Sequence, residues 1–134
     1  PNLVADAASA RLDIRIPPGL SVAEIEARIE AALADLPDVT HQVRRHFDPT
    51  WTDPGHEIIR LSAANAAAVL GEPAVLTMRV GASDSRLYRL AGIPTVVCGL
   101  TPHNMGAADE HVTLSDLEAV AAIHTLTAFD FLAR

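Results

Sequence analysis

Residues 74–98 read AVLTMRVGASDSRLYRLAGIPTVVC, and the fold prediction depends on this stretch. The pattern divides it into a strand, a loop, a short helix and a buried strand, at residues 74–80, 81–84, 85–91 and 94–98. This order favours an α/β unit with parallel strands. Because ligands of such sheets bind at the loops that leave the strand ends, loops 81–84 and 99–110 are the candidate binding loops.

The first third of the chain predicts a strand, a helix and a second strand. Residues 10–16 alternate polar and apolar side chains, which is typical of a half-buried strand. Ser21 and Glu24 form a capping box at the start of a helix whose apolar stripe reaches Leu36. Residues 39–47 then predict a second, partly polar strand.

Two longer helices are predicted in the rest of the chain, at about residues 56–70 and 115–132. Asp53 is the candidate N-cap of the first, and Gly71 suits the position just past its end. Ser115 and Glu118 match a capping box at the start of the second. Residues 48–55 are rich in turn formers, so we place a hinge or a domain boundary there.

Composition excludes several classes of protein. The 134 residues carry a formal net charge of −7, which disfavours nucleic acid as a partner. No apolar run reaches the ~18 residues that a transmembrane helix needs, so no membrane association is expected. The single cysteine excludes an internal disulfide. The chain begins at Pro1 without an initiator Met, so we expect a piece of a longer protein.

The loop at residues 101–111 is the candidate metal site. It carries two histidines, His103 and His111, and two acids, Asp109 and Glu110. Imidazole and carboxylate are the ligands that zinc favours outside thiolate sites. The alternative is a polar loop with ordinary surface side chains, because known zinc signatures have tighter spacing.

Two further features have a functional and a plain structural interpretation. The loop at residues 81–86 contains backbone N–H groups able to bind an anion or carboxylate, or it is an ordinary turn with Ser83 or Asp84 as N-cap. Arg15, on the polar face of the first strand, suits bidentate carboxylate binding, or it is a surface charge.

The ordered set of motifs resembles the di-zinc aminoacylase and peptidase family of succinyl-diaminopimelate desuccinylase, acetylornithine deacetylase and carboxypeptidase G. The matching stretches are residues 1–4, 12–19, 81–86 with 91–94, and 104–106 running to 109–112. The resemblance implies the C-terminal half of a zinc-aminopeptidase-like mixed-sheet domain. That half-domain would be residues 54–134. Residues 1–50 would be the second half of a ferredoxin-like α+β lid, which also forms the dimer.

The resemblance also implies roles for individual residues. Asn2 and Arg15 match a pair that binds substrate carboxylate, and Gly81 and Ser83 match a loop that holds the other end of the substrate. The family's last zinc ligand is a histidine four residues before a glutamate. Here Glu110 matches the glutamate, but Gly106 stands at the ligand position. We therefore expect His103 to be the metal ligand.

The function expected from the resemblance is hydrolysis of an amide bond in an N-acyl amino acid or small peptide. Two zinc ions, or cobalt or manganese, would serve the whole protein, whereas this chain alone would be inactive. The whole protein would be a cytoplasmic homodimer or higher oligomer. The alternative is a non-catalytic dimerisation or carboxylate-binding module, or a whole protein with a degenerate metal site.

Overall fold

The computed structural model describes residues 4–78, 81 and 83–133, and it contains two compact units, Pro1–Pro49 and Thr50–Arg134. Its helices are α1 (Val22–Leu33), α2 (Glu57–Leu70), α3 (Ser85–Leu90) and α4 (Leu114–Leu132). Some of the sequence predictions lie outside the described residues: residues 1–3 of the first matching stretch, which include Asn2, the last two residues of the predicted strand 74–80, and Ala82 in the candidate binding loop.

The capping box predicted at the start of α1 is confirmed. The backbone N–H of Ser21 donates to Glu24 Oε2 at 2.7 Å, and the backbone N–H of Glu24 donates to Ser21 Oγ at 3.3 Å. The Ser21 hydroxyl also donates to Glu24 Oε2, at 2.8 Å. This bond, together with the one from the Ser21 backbone N–H, favours the carboxylate form and lowers the pKa of Glu24 below its usual range. A second contact within this unit joins the backbone N–H of Val22 to Asp48 Oδ1 at 2.9 Å. The bonds donated by the backbone N–H groups of Val22 and Glu24 satisfy donors that the first helical turn leaves unpaired.

The segments predicted as strands have extended or irregular backbone rather than a sheet. Within the described residues, the pairing of His103 with His111 is the one β-bridge, and it is isolated. The apolar side chains of these segments are accessible, and Leu12 is 76% and Val75 82% exposed. A strand exists only where a neighbouring strand accepts and donates its hydrogen bonds. The mixed sheet and the ferredoxin-like lid therefore stay predictions.

Helices α2 and α4 pack against each other and form the centre of the second unit. The hydrophobic residues buried among the described part of the chain are Ile59 and Ala66 on α2 and Ile123 on α4. A polar contact supports the same interface, because Asn65 Nδ2 donates to Asp130 Oδ2 at 2.9 Å. These buried hydrophobic residues thus all lie on this pair of helices.

Two helix starts differ from the predictions. Asp53 does not cap α2: it accepts a hydrogen bond from the backbone N–H of Gly55 at 2.7 Å, and His56 Nδ1 caps the helix by accepting from Ile58. The N-cap of α4 is Thr113, not Ser115. In both places several side chains suited to capping stand within a few residues, and the backbone path selects among them.

Two helix ends show how the chain leaves a helix. Gly71 is confirmed just past the end of α2, where its φ of 76° lies in the left-handed region that glycine adopts easily. Helix α1 ends at Leu33, earlier than the predicted Leu36, because a turn follows in which the backbone N–H of Leu36 donates to the carbonyl of Leu33.

A pair of threonines fixes the segment before α2 to the segment after α3. Thr52 Oγ1 donates to the carbonyl of Thr95 at 2.7 Å and accepts from the backbone N–H of Thr95 at 2.9 Å. Arg89 Nε adds a bond to Thr50 Oγ1 at 3.1 Å. Among the described residues, no helix has both the length and the apolar character that crossing a bilayer requires.

Candidate functional site

The loop before α3 holds Gly81 and Ser83, both predicted to bind substrate. Gly81 is exposed and Ser83 is half-buried. Ser83 Oγ lies 2.8 Å from Ser85 Oγ and accepts from the backbone N–H of Ser85 at 3.2 Å, whereas Asp84, the N-cap residue, makes no side-chain cap bond. The hydroxyl of Ser83 therefore organises the start of α3, and its described contacts are the ones that an ordinary turn into a helix makes.

Arg15 lies in the first unit and forms an ion pair with its near neighbour Asp13. The Nη2–Oδ2 distance is 2.6 Å, and both side chains are largely exposed. An exposed pair of this kind contributes little to stability, so its guanidinium can exchange one carboxylate for another at small cost. The side chain of Arg15 is thus accessible to solvent. Its contact with a substrate carboxylate stays a prediction.

The loop at residues 101–111 forms a short hairpin whose two ends are histidines. The backbone N–H of His103 donates to the carbonyl of His111 at 2.8 Å, and the N–H of His111 donates to the carbonyl of His103 at 3.3 Å. Residues opposite each other in such a pair project their side chains to the same face. The imidazole rings accordingly stack, with centroids 5.0 Å apart and an interplanar angle of 18°.

Gly106 lies inside this hairpin, at the position where the resemblance implies a zinc-binding histidine. Gly106 has a φ of 76°, and its backbone N–H donates to Glu110 Oε2 at 3.2 Å. A side chain at a left-handed φ is strained, although nothing lies within 4 Å of where a Cβ would be built on Gly106. A histidine is therefore disfavoured here by backbone conformation, not by lack of space.

The structure pairs His103 with a residue that the site prediction omitted. Both histidines are in the loop that is the candidate metal site, but the prediction names His103 alone as a ligand. The turn formers between them, Asn104, Gly106 and Asp109, all have positive φ and are the sequence signal for a hairpin that brings His111 alongside.

The donor set for a metal is incomplete in the part of the chain that the structure describes. Among residues 4–78, 81 and 83–133, no three His, Cys, Asp or Glu side chains are grouped so that they could hold an ion. A catalytic zinc takes three protein ligands. The described residues thus do not make up a complete catalytic centre, and His103 as a ligand stays a prediction.

An open cleft of about 250 Å³ lies between α2, α4 and the segment at residues 98–101. Its described lining is mostly apolar, and Asp116 is the one charged side chain in it. Next to it, His124 Nε2 lies 2.8 Å from the carbonyl oxygen of Cys98, which ties α4 to that segment. Since no set of polar groups converges in the cleft, it is a packing gap between elements.

Comparison with known proteins relates the chain to a class of hydrolases, the desuccinylases. It is 29% identical over 102 residues to the succinyl-diaminopimelate desuccinylase of Methylorubrum populi, a match covering 76% of this chain and 26% of that enzyme. It is 26% identical over 103 residues to the same-named enzyme of Wolinella succinogenes, covering 77% of this chain and 28% of that enzyme. No protein-family model and no solved structure matches the chain. The chain thus spans about a quarter of the length of these relatives.

Proposed function

We propose that this chain is part of a metal-dependent hydrolase that cleaves the amide bond of N-acyl amino acids or small peptides. The observation that carries the proposal is the similarity to two desuccinylases over about three quarters of the chain. The order of the motifs along the sequence supports it. The cytoplasmic location expected from the sequence belongs to the same proposal.

In this proposal the carboxylate of the substrate binds Arg15 and Asn2, the two residues that match the carboxylate-binding pair of the family. The guanidinium of Arg15 supplies a fork of N–H donors that matches a carboxylate. Its present partner, Asp13, is an exposed neighbour two residues away. A substrate carboxylate that displaces Asp13 replaces one charged hydrogen-bonded pair by another. Because the pair with Asp13 is exposed, no buried ion pair has to be broken for binding.

Gly81 and Ser83 hold the other end of the substrate in this proposal. Both lie in the loop before α3, where Gly81 is accessible. The hydroxyl of Ser83 is engaged by Ser85, and the resemblance implies that backbone groups of the loop contact the substrate. The side chain of Ser83 would then act by shaping the loop.

The metal would be zinc, two ions in the whole protein, with cobalt or manganese as substitutes. Such ions polarise the scissile carbonyl and lower the pKa of a bound water. His103 would be one ligand. Because the described residues hold no group of three ligands, the remaining ones must come from elsewhere, and the chain alone is expected to be inactive.

The proposal is tested by comparing Arg15→Ala with Arg11→Ala in the full-length protein that contains this chain. Both arginines lie on the polar face of the same predicted strand, so Arg11 is the matched control. Loss of a charged hydrogen bond costs about 1.5–3 kcal/mol, so KM for an N-succinyl amino acid should rise about tenfold or more for Arg15→Ala. An unchanged KM, or an equal rise for Arg11→Ala, contradicts the assigned role. The 134-residue chain should show no hydrolysis with added zinc.

A second candidate function is a non-catalytic dimerisation or carboxylate-binding module. The observation that favours it is Gly106 at the position where the resemblance expects a zinc ligand. Exposed apolar side chains such as Leu12 and Phe129 (68% exposed) also suit association into a homodimer or higher oligomer. Light scattering at high concentration should give at least twice the monomer mass. A full-length protein that binds no zinc but still associates would favour this candidate over the hydrolase.

A further inference from the structure

We propose that His103 and His111 together bind a divalent cation, with His111 as the second ligand beside His103. The inference deepens the proposed function, because it names a further residue at the proposed metal site. It depends on the geometry of the hairpin and not on catalysis. The two backbone hydrogen bonds between these residues, at 2.8 and 3.3 Å, hold the two side chains on one face of the hairpin.

The hydrogen bond of the His111 ring prepares it for a metal. His111 Nδ1 lies 2.6 Å from the carbonyl oxygen of Asp109. A carbonyl oxygen only accepts, so Nδ1 is the donor and carries the proton. In the neutral ring the lone pair is then on Nε2. Histidines that bind metals commonly donate their other ring nitrogen to a backbone carbonyl in this way, which fixes the tautomer and the orientation of the ring.

One side-chain rotation is needed to bring both rings to a single ion. Rings inclined by only 18° direct their lone pairs side by side, not at one point. Zinc bound to two imidazoles at 2.0–2.1 Å in tetrahedral geometry requires the two nitrogens to lie about 3.3 Å apart. The torsion between Cβ and the ring is soft in histidine. Because the Asp109 carbonyl holds the ring of His111, the ring of His103 is the one that turns.

The charge around the pair favours a cation. Asp109 and Glu110 immediately precede His111, and the chain has a formal net charge of −7. The Glu110 side chain closes the hairpin through the N–H of Gly106, so it supplies negative charge near the site. The described residues offer no group of three ligands, so water or another part of the polypeptide completes the coordination.

The inference is tested by titrating Zn²⁺ into the 134-residue chain while the histidine ring nitrogens are followed by NMR. The Nε2 resonances of His103 and His111 should shift together at the same zinc concentration. The four other histidines, at positions 41, 46, 56 and 124, serve as internal references. A shift of the His103 resonance alone, or of neither, overturns the inference without depending on any variant.

Calorimetric zinc titration of variants gives an independent test. His103→Ala and His111→Ala should each weaken zinc binding about tenfold or more, and the double variant should lose little beyond either single one. His41→Ala, an exposed histidine in the first unit, is the matched control and should bind zinc as the native chain does. Native zinc affinity in His111→Ala overturns the inference.

The outcome is separable from that of the proposed function. Hydrolysis by the full-length protein combined with native zinc affinity in His111→Ala leaves the hydrolase standing and removes the second ligand. Zinc binding by both histidines in a full-length protein that hydrolyses no N-acyl amino acid supports His111 as the second ligand and contradicts the hydrolase.

Discussion

Replacing Ile123 by Ala tests whether the contact between α2 and α4 holds the second unit together. Ile123 is 2% exposed, the most deeply buried hydrophobic residue among those described. The change removes three carbon atoms from that contact. At about 0.8 kcal/mol for each buried methylene, the lost transfer free energy is about 2.4 kcal/mol.

The cavity left by this substitution adds a smaller cost. A closed cavity costs about 24 cal/mol per Å³. Ile123, however, also lines the open cleft of about 250 Å³, so much of the new space joins a volume that solvent already reaches. The free energy of unfolding should therefore fall by about 2.5–3 kcal/mol, near the lower end of the range for such changes.

Chemical denaturation of the 134-residue chain, followed by far-ultraviolet circular dichroism, measures this loss. Leu132→Ala is the control, because it removes the same number of carbon atoms from the same helix at a side chain that is 77% exposed. Its expected cost is about 0.5 kcal/mol, in proportion to the smaller buried fraction. Equal costs for the two variants would refute the claim that the α2–α4 contact is the core of this unit.

Three further predictions concern local hydrogen bonds. Thr52→Val leaves the backbone N–H and carbonyl of Thr95 without their partner and should lower the free energy of unfolding by about 1–2 kcal/mol in a denaturant titration; no change would contradict it. Because Ser21 lowers the pKa of Glu24 in the folded chain, the Glu24 carboxylate stabilises α1 fully above the usual carboxyl pKa, and this stabilisation is lost as the pH falls through the lowered pKa. Circular dichroism across acid pH should show the loss of helix. In Glu24→Gln this pH dependence should be absent. Thr113→Ala removes the N-cap of α4 and should cost about 1 kcal/mol by thermal denaturation, with a native stability as the contrary result.

The helices could be predicted because local chemistry specifies them. The capping box of Ser21 and Glu24 and the glycine at position 71 act within one turn of their helix, so a short window of sequence contains the whole signal. The predicted caps of Asp53 and Ser115 were wrong because neighbouring side chains compete for the same N–H groups. Side-chain type alone does not decide that competition.

The strands and the site stay predictions, because both depend on distant partners that a local pattern does not identify. Residues 10–16 have the alternation of a strand, but pairing requires a neighbour that no local pattern identifies. Likewise, the sequence singled out His103 but not its partner. The stacking with His111 follows from a hairpin whose turn residues adopt positive φ. Contacts within a loop of this kind emerge only once the backbone path is known.

The most direct test of the account is the rate at which the full-length protein containing this chain hydrolyses an N-succinyl amino acid. We predict release of succinate in the presence of zinc, loss of that activity on chelation and its return when zinc, cobalt or manganese is restored. Absence of hydrolysis with every one of these metals, in a protein shown to be folded, would contradict the central claim.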